Sequence, residues 1–275
     1  ATDEYTARAI LVTEPDNTRQ LFYYRHRCDN LVPGTDSTVP SVPGVVFDNG
    51  SAGTDHAALY HRNSFHWDAR QFAALPAWNW ANLGSALGQL TANDYRKARW
   101  KHWLLGADEF SVSHLSSERE PSPDSAGTIE GARTWYDYAG KNPATPDVEG
   151  ASPLIACVAR VLPDGTTQYT AYDYTANGYA SQIRATYTRA DGSVGARTNT
   201  YSYAANGVDL TGLTNTTQRL WSLTWNTNHT LAFTTNALNE RTQISYWPGH
   251  AAKPWQIITP AGESVTLTYF SGAWT

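Results

Sequence analysis

The chain has 275 residues, of which 41% are hydrophobic, 16% are charged and 12% are aromatic. This length and composition allow one large or two smaller hydrophobic cores and exclude a disordered tail. The net charge of -5 provides no basic field for nucleic acid, and no apolar run reaches the ~18 residues of a membrane-spanning helix. We therefore expect neither nucleic-acid binding nor membrane insertion, and the 11 Trp and 16 Tyr residues must fill a core or form a stacking surface.

The first part of the chain, residues 1–133, is predicted to be β-rich and irregular. Strand-like runs at 7–13 and 20–25 suggest a hairpin, and a loop rich in Pro and Gly follows at 32–53. Residues 55–105 are the only stretch with helical character. We expect one or two short helices at most there, because Pro, Gly and a high density of Trp oppose longer ones.

From residue 134 to the end, alternating Thr, Tyr, Val, Ile and Leu with Asn-Gly and Asp-Gly pairs predict short antiparallel strands joined by tight turns. The segment YDYTANGY from Tyr172 superposes without gaps on YSYAANGV from Tyr201, and an earlier copy, WYDYAG, begins at Trp135. From Tyr203 onward an aromatic anchor recurs at spacings of 22, 21 and 23 residues, enough for two short strands and their turns. The predicted repeat positions are Tyr136, Asp137, Tyr172, Asp173, Tyr174, Gly178, Tyr203, Gly207, Trp225, Tyr246 and Tyr269.

These repeat units resemble those of the RHS/YD-repeat family, which includes bacterial RHS proteins, toxin-complex shells and teneurins. The resemblance covers about residues 134–275 and implies a mostly β fold, in which repeats stack into an antiparallel, shell-like sheet beside the irregular N-terminal part. It also implies a secreted or cell-surface bacterial protein whose partners are other segments of a larger parent protein or further copies of itself. Since the chain contains no Met and its start lacks a leader sequence, we expect it to be a processed or internal piece.

We interpret the chain as a non-enzymatic structural segment of such a protein, contributing to a β-sheet shell or an extracellular assembly. An alternative is a carbohydrate-binding module, since aromatic faces bind sugar rings and a surface low in charge offers neutral hydrogen-bond partners. The candidate stacking residues are Trp78, Trp80, Trp100, Trp103, Trp225 and Trp255. A third interpretation is a polysaccharide hydrolase with an acidic pair, either Asp108 with Glu109 or Glu118 with Glu120. The sequence contains no P-loop, dinucleotide-binding or metalloprotease motif, so no cofactor is expected.

Two smaller groups of residues leave alternatives open. A cluster of histidines and carboxylates could bind zinc, but its spacing matches no ligand motif, so ordinary surface and core residues are the favoured interpretation. The members of this cluster are Asp55, His56, His61, His66 and Asp68. Cys28 and Cys157 either form a disulfide across a long loop or are two buried thiols. The basic and aromatic run 94–103 is interpreted as an exposed edge strand or helix face rather than as a nucleic-acid site.

Overall fold

The computed structural model describes residues 7–27, 40, 42–45, 47–48, 61–108, 112–162 and 165–269. Within these ranges sixteen strands and three short helices occur, and the hydrogen-bonded order of the strands follows their order in the chain. The predicted mostly β fold with antiparallel strands is confirmed. None of the described helices is long and apolar enough to cross a membrane. The chain divides into two compact units, residues 1–170 and 171–275.

The described part of the first unit contains seven complete strands and the three helices, and an eighth strand runs across the boundary. The elements are β1 (Ala7–Thr13), β2 (Arg19–Arg27), β3 (His61–Trp67), α1 (Ala69–Ala73), α2 (Leu83–Leu87), α3 (Ala92–Arg96), β4 (Arg99–Leu105), β5 (Val112–Arg119), β6 (Arg133–Tyr138), β7 (Ile155–Val161) and β8 (Thr167–Tyr174). Strands β1 and β2 form the predicted hairpin. Most of the predicted loop at 32–53 lies outside the described residues.

The three helices between β3 and β4 are each five residues long, whereas the sequence predicted one or two. Each begins at a capping side chain: Asp68 for α1, Asn82 for α2 and Thr91 for α3. A capping side chain accepts a hydrogen bond from an amide that the start of a helix leaves unpaired. Three caps in so short a stretch therefore divide it into three helical turns.

One face of the first four strands is buried beneath these helices. Tyr23, Phe65 and Trp100 lie opposite one another on β2, β3 and β4 and point into this core. The other core residues are Leu21, Trp67, Phe72, Leu75, Trp80, Ala86, Leu90, Tyr95 and Ala98. Strand β4 lies between β3 and β5. The interpretation of run 94–103 as an exposed edge or helix face is therefore wrong, because β4 is an interior strand and Trp100 is fully buried.

The first repeat copy belongs to this unit. Trp135 on β6 is fully buried, its ring lies edge-on to Phe47, and the Arg133 guanidinium lies over it. The change in sequence pattern at residue 134 thus differs from the division between the compact units, which follows residue 170. Strands β6 and β7 belong to the first unit because they contribute buried side chains to it, among them Trp135 and Cys157.

The second unit consists, in its described residues, of the end of β8 and eight further strands. They are β9 (Ala180–Thr188), β10 (Val194–Tyr203), β11 (Leu210–Asn215), β12 (Arg219–Trp225), β13 (Leu231–Asn236), β14 (Arg241–Trp247), β15 (His250–Ile258) and β16 (Ser264–Thr266). Of the residues in this unit whose burial is described, only Gly195, Asp209 and Ala232 are buried. The unit is therefore a single sheet without a core of its own.

Candidate functional site: the aromatic anchors and the open sheet

The aromatic anchors of the second unit make one recurring hydrogen bond. Each donates from its side chain to the backbone oxygen of the first residue of the preceding strand. The three bonds run from Tyr203 Oη to the Ala180 oxygen (2.9 Å), from Trp225 Nε1 to the Leu210 oxygen (2.6 Å) and from Tyr246 Oη to the Leu231 oxygen (3.0 Å). Since the end of one antiparallel strand lies beside the start of its partner, each bond closes the open end of a hairpin.

A register shift accompanies every one of these anchors. The pairing with the following strand shifts immediately before Tyr203, before Trp225 and before Tyr246. In each case the following strand contains one extra residue, which is the arrangement of a β-bulge. Bulges increase the local right-handed twist, so the same distortion recurs beside each of the three anchors.

The turns after the anchors contain residues in the left-handed region of backbone conformation. Gly178, Gly207 and Gly249 have φ values of 81°, 71° and 80°, and His229 occupies this region at 61°. Asn177 Nδ2 donates to the Gly207 oxygen at 3.2 Å, so two neighbouring turns are joined directly. The predicted glycines Gly178 and Gly207 therefore have a conformational role, since L side chains adopt this region at a cost.

A polar cluster joins the next pair of turns. Asp209 accepts a hydrogen bond from Asn206 Nδ2 at 2.7 Å, and its carboxylate lies 3.0 Å from His229 Nδ1. Burial raises the pKa of Asp209, but the contacts with Asn206 and His229 outweigh burial and hold the pKa below its ordinary value. This pair of turns is thus linked through the charged Asp209 carboxylate, whereas the previous pair is linked through the backbone oxygen of Gly207.

The two faces of the second unit differ in polarity. Tyr201, Leu213 and Trp221 lie opposite one another on the face that carries the anchors, and Ile244, Ile257 and Val265 form a second apolar row. The opposite face carries Phe233 among mainly polar residues, which are Thr200, Ser202, Thr214, Ser222, Thr224, Thr235 and Gln243. Trp221 remains 46% exposed and Val265 50% exposed. The unit therefore presents an apolar face that its own described residues leave uncovered.

In the first repeat copy, Tyr138 occupies the anchor position, two residues after the predicted Tyr136. Tyr138 Oη donates at 2.8 Å to the oxygen of Leu115, which is the fourth residue of β5 rather than its first, and the register shifts immediately before Tyr138. Tyr136 Oη donates instead to Glu118 Oε1 at 2.6 Å. Asp137 lies on the buried face, with the Lys141 ammonium 3.8 Å from its Oδ1. The second aromatic residue of the Tyr-Asp-Tyr string is thus the anchor, a choice that sequence spacing alone left undetermined.

The remaining repeat positions lie at less regular places. Tyr172 and Tyr174 stack at the end of β8 with ring centroids 6.5 Å apart, and Asp173 between them is exposed. Tyr269 is 45% exposed, and Lys253 Nζ lies 5.5 Å from its ring centroid.

The six candidate stacking tryptophans are not equivalent. Trp80 is 8% exposed and Trp100 is fully buried, so both are core residues and cannot stack on a sugar. Trp103 donates to Ser64 Oγ at 3.0 Å, and Trp225 serves as an anchor. Trp78 and Trp255 are half-buried. Since two of the six belong to the core, the six do not form one platform.

The candidate metal ligands have separate roles where they are described. His61 lies beside His26, His66 stacks on Phe22, and Asp68 caps α1. Across the described residues no group of three His, Cys, Asp or Glu side chains is arranged to hold a metal ion. The cluster members Asp55 and His56 lie outside the described residues.

The predicted disulfide and the predicted acidic pairs are only partly covered by the described residues. Cys157 is buried on β7, but Cys28 lies outside the described residues, so the disulfide stays a prediction. Of the acidic pairs, Glu118 accepts the Tyr136 hydroxyl, and Glu120 forms a 2.8 Å ion pair with Arg99. Asp108 is exposed, and its neighbour Glu109 is not among the described residues.

A buried polar network beside the aromatic core was not predicted. His102 and Asp48 are both fully buried, with 2.8 Å between Nε2 and Oδ2, and Arg62 Nη2 lies 3.9 Å from the same oxygen. Burial raises the pKa of Asp48, but the opposing effects of His102 and Arg62 hold the pKa below its ordinary value. The alternation of Trp100, His102 and Leu104 along β4 was a signal that His102 faces the core.

Comparison with known proteins gives no family assignment. No family model matches the chain, and no curated protein matches it. One matching solved structure is described as the crystal structure of TcdB2-TccC3 without its hypervariable C-terminal region, with 10% sequence identity and a TM-score of 0.21. The match covers 90% of this chain and 16% of that chain, so this chain spans only a small part of the matched chain's length. At this TM-score the match assigns neither a family nor a function.

Proposed function

We propose that the chain is a non-enzymatic structural segment of a secreted or cell-surface RHS/YD-repeat protein, in which it forms part of a β-sheet shell or an extracellular assembly. The observation that carries the proposal is the recurrence of one geometry, an anchor hydrogen bond with a bulge beside it, at Tyr203, Trp225 and Tyr246. Repeat proteins are stacks of such equivalent units, and the length of the protein is set by the number of units. The proposal assigns no catalytic residue and no cofactor.

The apolar face of the second unit supports the same proposal. A contiguous exposed apolar surface on a soluble protein marks an interaction site. Here two apolar rows lie on one face, one from Tyr201 to Trp221 and one from Ile244 to Val265, with Thr234 and Asn236 of β13 between them. We assign the occupant of this face to another segment of the same repeat protein, since a single sheet of hairpins gains a buried layer only by packing against a further one.

Matched substitutions on the two faces of β12 test this function. When the chain is isolated from its parent, the apolar face is expected to drive association between copies, which sedimentation velocity measures as concentration-dependent oligomers. Trp221→Lys places a charge on the apolar face and should return the chain to a monomer. Ser222→Lys places the same charge on the polar face and should leave association unchanged. A wild-type chain that stays monomeric at every concentration contradicts the assembly role.

Carbohydrate binding is a second candidate, supported by one ring pair. Trp247 is 43% exposed, and its ring centroid lies 6.5 Å from that of Trp255 at an angle of 55°. Exposed aromatic rings of this kind bind the faces of sugars. A glycan array that shows binding by the wild type and loss of that binding in Trp247→Ala supports this candidate. If the substitution leaves glycan binding unchanged, Trp247 and Trp255 do not form the binding site.

A further inference from the structure

The outer face of the first unit, opposite its aromatic core, contains a groove of about 400 Å³. Two rows of paired side chains running across β1, β2, β3 and β4 form it. One row consists of Ile10, Phe22, His66 and Arg99, and the other consists of Arg8, Tyr24, Ser64 and Lys101. The groove is therefore defined by strand register, which positions its side chains more rigidly than a loop does.

One side of the groove is an apolar wall. The rings of Phe22 and His66 stack with centroids 4.2 Å apart and planes within 8°. Phe22 is 42% exposed and Ile10 is 64% exposed. In the other row the small side chain of Ser64 stands between Tyr24 and Lys101, which leaves space for a ligand beside the rings.

The groove carries an excess of positive charge in a chain whose net charge is -5. Arg99 is neutralised by Glu120 at 2.8 Å. Glu118 lies opposite Lys101 in the register. In the described part of the chain, neither Arg8 nor Lys101 forms an ion pair. Both cations are therefore available to an anionic ligand.

We propose that this groove binds an acidic saccharide, a sugar chain whose rings carry carboxylates. The apolar wall accepts the face of a sugar ring, and the cations form charge-assisted hydrogen bonds with carboxylates. Arg8 and Lys101 stand on strands three positions apart, a backbone separation of roughly 14 Å at the usual strand spacing. The two cations thus contact carboxylates on different sugar units. This site is independent of the structural function and contains none of the six candidate tryptophans.

Two other anionic ligands fit the groove less well. Nucleic acid carries a phosphate at every nucleotide and is bound through extended basic surfaces, whereas this groove has two available cations. An acidic peptide has a flexible backbone and loses more conformational freedom on binding than a stiff sugar chain does. The separated cations beside stacked rings favour the saccharide.

Calorimetric titration of the full chain with an oligogalacturonate tests the site. Arg8→Ala and Lys101→Ala should each weaken binding by about tenfold, the effect of losing one charge-assisted hydrogen bond. Arg160→Ala is the matched control, because Arg160 is exposed and lies in the same cross-strand row as Lys101, beyond Glu118 and Thr134. It should leave the affinity unchanged. Thermal unfolding of each variant checks that the fold is retained.

The proposal is wrong if the chain does not bind the oligogalacturonate, or if it binds a neutral cello-oligosaccharide equally well. It is also wrong if the chain binds a single-stranded oligonucleotide more tightly than the oligogalacturonate. A further contradiction would be that Arg160→Ala weakens binding as much as Arg8→Ala and Lys101→Ala do. None of these results affects the assembly function, whose test relies on Trp221 in the second unit. Equally, a monomeric wild-type chain leaves the groove's affinity for the saccharide intact.

Discussion

The two units use the same kind of hairpin but stabilise it differently. In the first unit three helices cover one face of the sheet, and Trp100 and Trp135 are fully buried. In the second unit the described side chains of both faces remain half-buried or exposed, apart from the buried Asp209 and Ala232. In both units an aromatic side chain donates to a backbone oxygen of the preceding strand beside a register shift, at Tyr138 and at Tyr203, so this feature does not depend on a core. Local hairpin contacts therefore define the repeat, and hydrophobic burial is added to it only in the first unit.

The largest expected effect comes from removing a ring from the covered face. Trp100→Ala should lower the free energy of unfolding of the first unit by about 3 to 5 kcal/mol, because it leaves a cavity among fully buried residues. Trp221→Ala in the second unit should cost less than about 1 kcal/mol, since its ring is half in solvent. Urea unfolding with hydrogen exchange resolved by unit measures both. Equal costs would show that the apolar face of the second unit is already buried in solution.

A comparable loss is expected from the buried ion pair. Asp48→Ala leaves His102 and Arg62 in the interior without the carboxylate and should cost about 3 kcal/mol or more. Asp173→Ala, at an exposed repeat position of the second unit, is the control and should be near neutral. Urea unfolding measures both costs. Equal costs for Asp48→Ala and Asp173→Ala would contradict the structural role of the network.

The same carboxylate makes the first unit sensitive to acid. Its pKa is lowered in the folded state, so its stabilising contribution is complete above the ordinary value of 3.8 and is lost as the pH falls through the lowered value. We expect the free energy of unfolding of the first unit to decrease as the pH falls below 3.8. In Asp48→Asn the contribution is absent at every pH, so its acid-dependent decrease should be smaller. An identical decrease in the variant would assign acid sensitivity to other groups.

A smaller effect is expected in a turn of the second unit. Gly207→Ala should cost about 1 to 2 kcal/mol, because φ is +71° and the new Cβ would lie 2.3 Å from Asn177 Nδ2. Gly262→Ala, at φ +83° with no atom within 4 Å of the new Cβ, is the matched control for backbone strain alone. The difference between the two in urea unfolding measures the link between neighbouring turns. If it is zero, that link does not contribute to the repeat.

The smallest effect is that of one anchor hydroxyl. Tyr203→Phe removes the bond to the Ala180 oxygen and should cost about 1 kcal/mol. Tyr201→Phe on the same strand is the control, because among the described residues the Tyr201 hydroxyl makes no hydrogen bond. Hydrogen exchange of the β9 amides should increase only in Tyr203→Phe. Equal exchange in both variants would show that the anchor bond does not hold the end of the hairpin closed.

Much of the fold was predictable because it is local. Strand alternation, turn-forming pairs and the spacing of aromatic residues indicated the antiparallel strands and the recurring unit. The choice between Tyr136 and Tyr138 as the first anchor was not predictable, since both belong to the same string and only the acceptor at Leu115 distinguishes them. The groove across β1 to β4 was not predictable either. Its residues come together through the register of four strands, two of them far apart in sequence.

The sequence by itself determined the β character, the antiparallel hairpins and the glycines at left-handed turn positions, because these depend on neighbouring residues and backbone stereochemistry. Only the tertiary structure decided which rings are buried. Trp100 and Trp221 have the same chemistry and similar strand settings, yet one is fully buried and the other is 46% exposed. The physical reason is that burial depends on whether a second layer covers the sheet, and helices α1 to α3 supply that layer to only one unit.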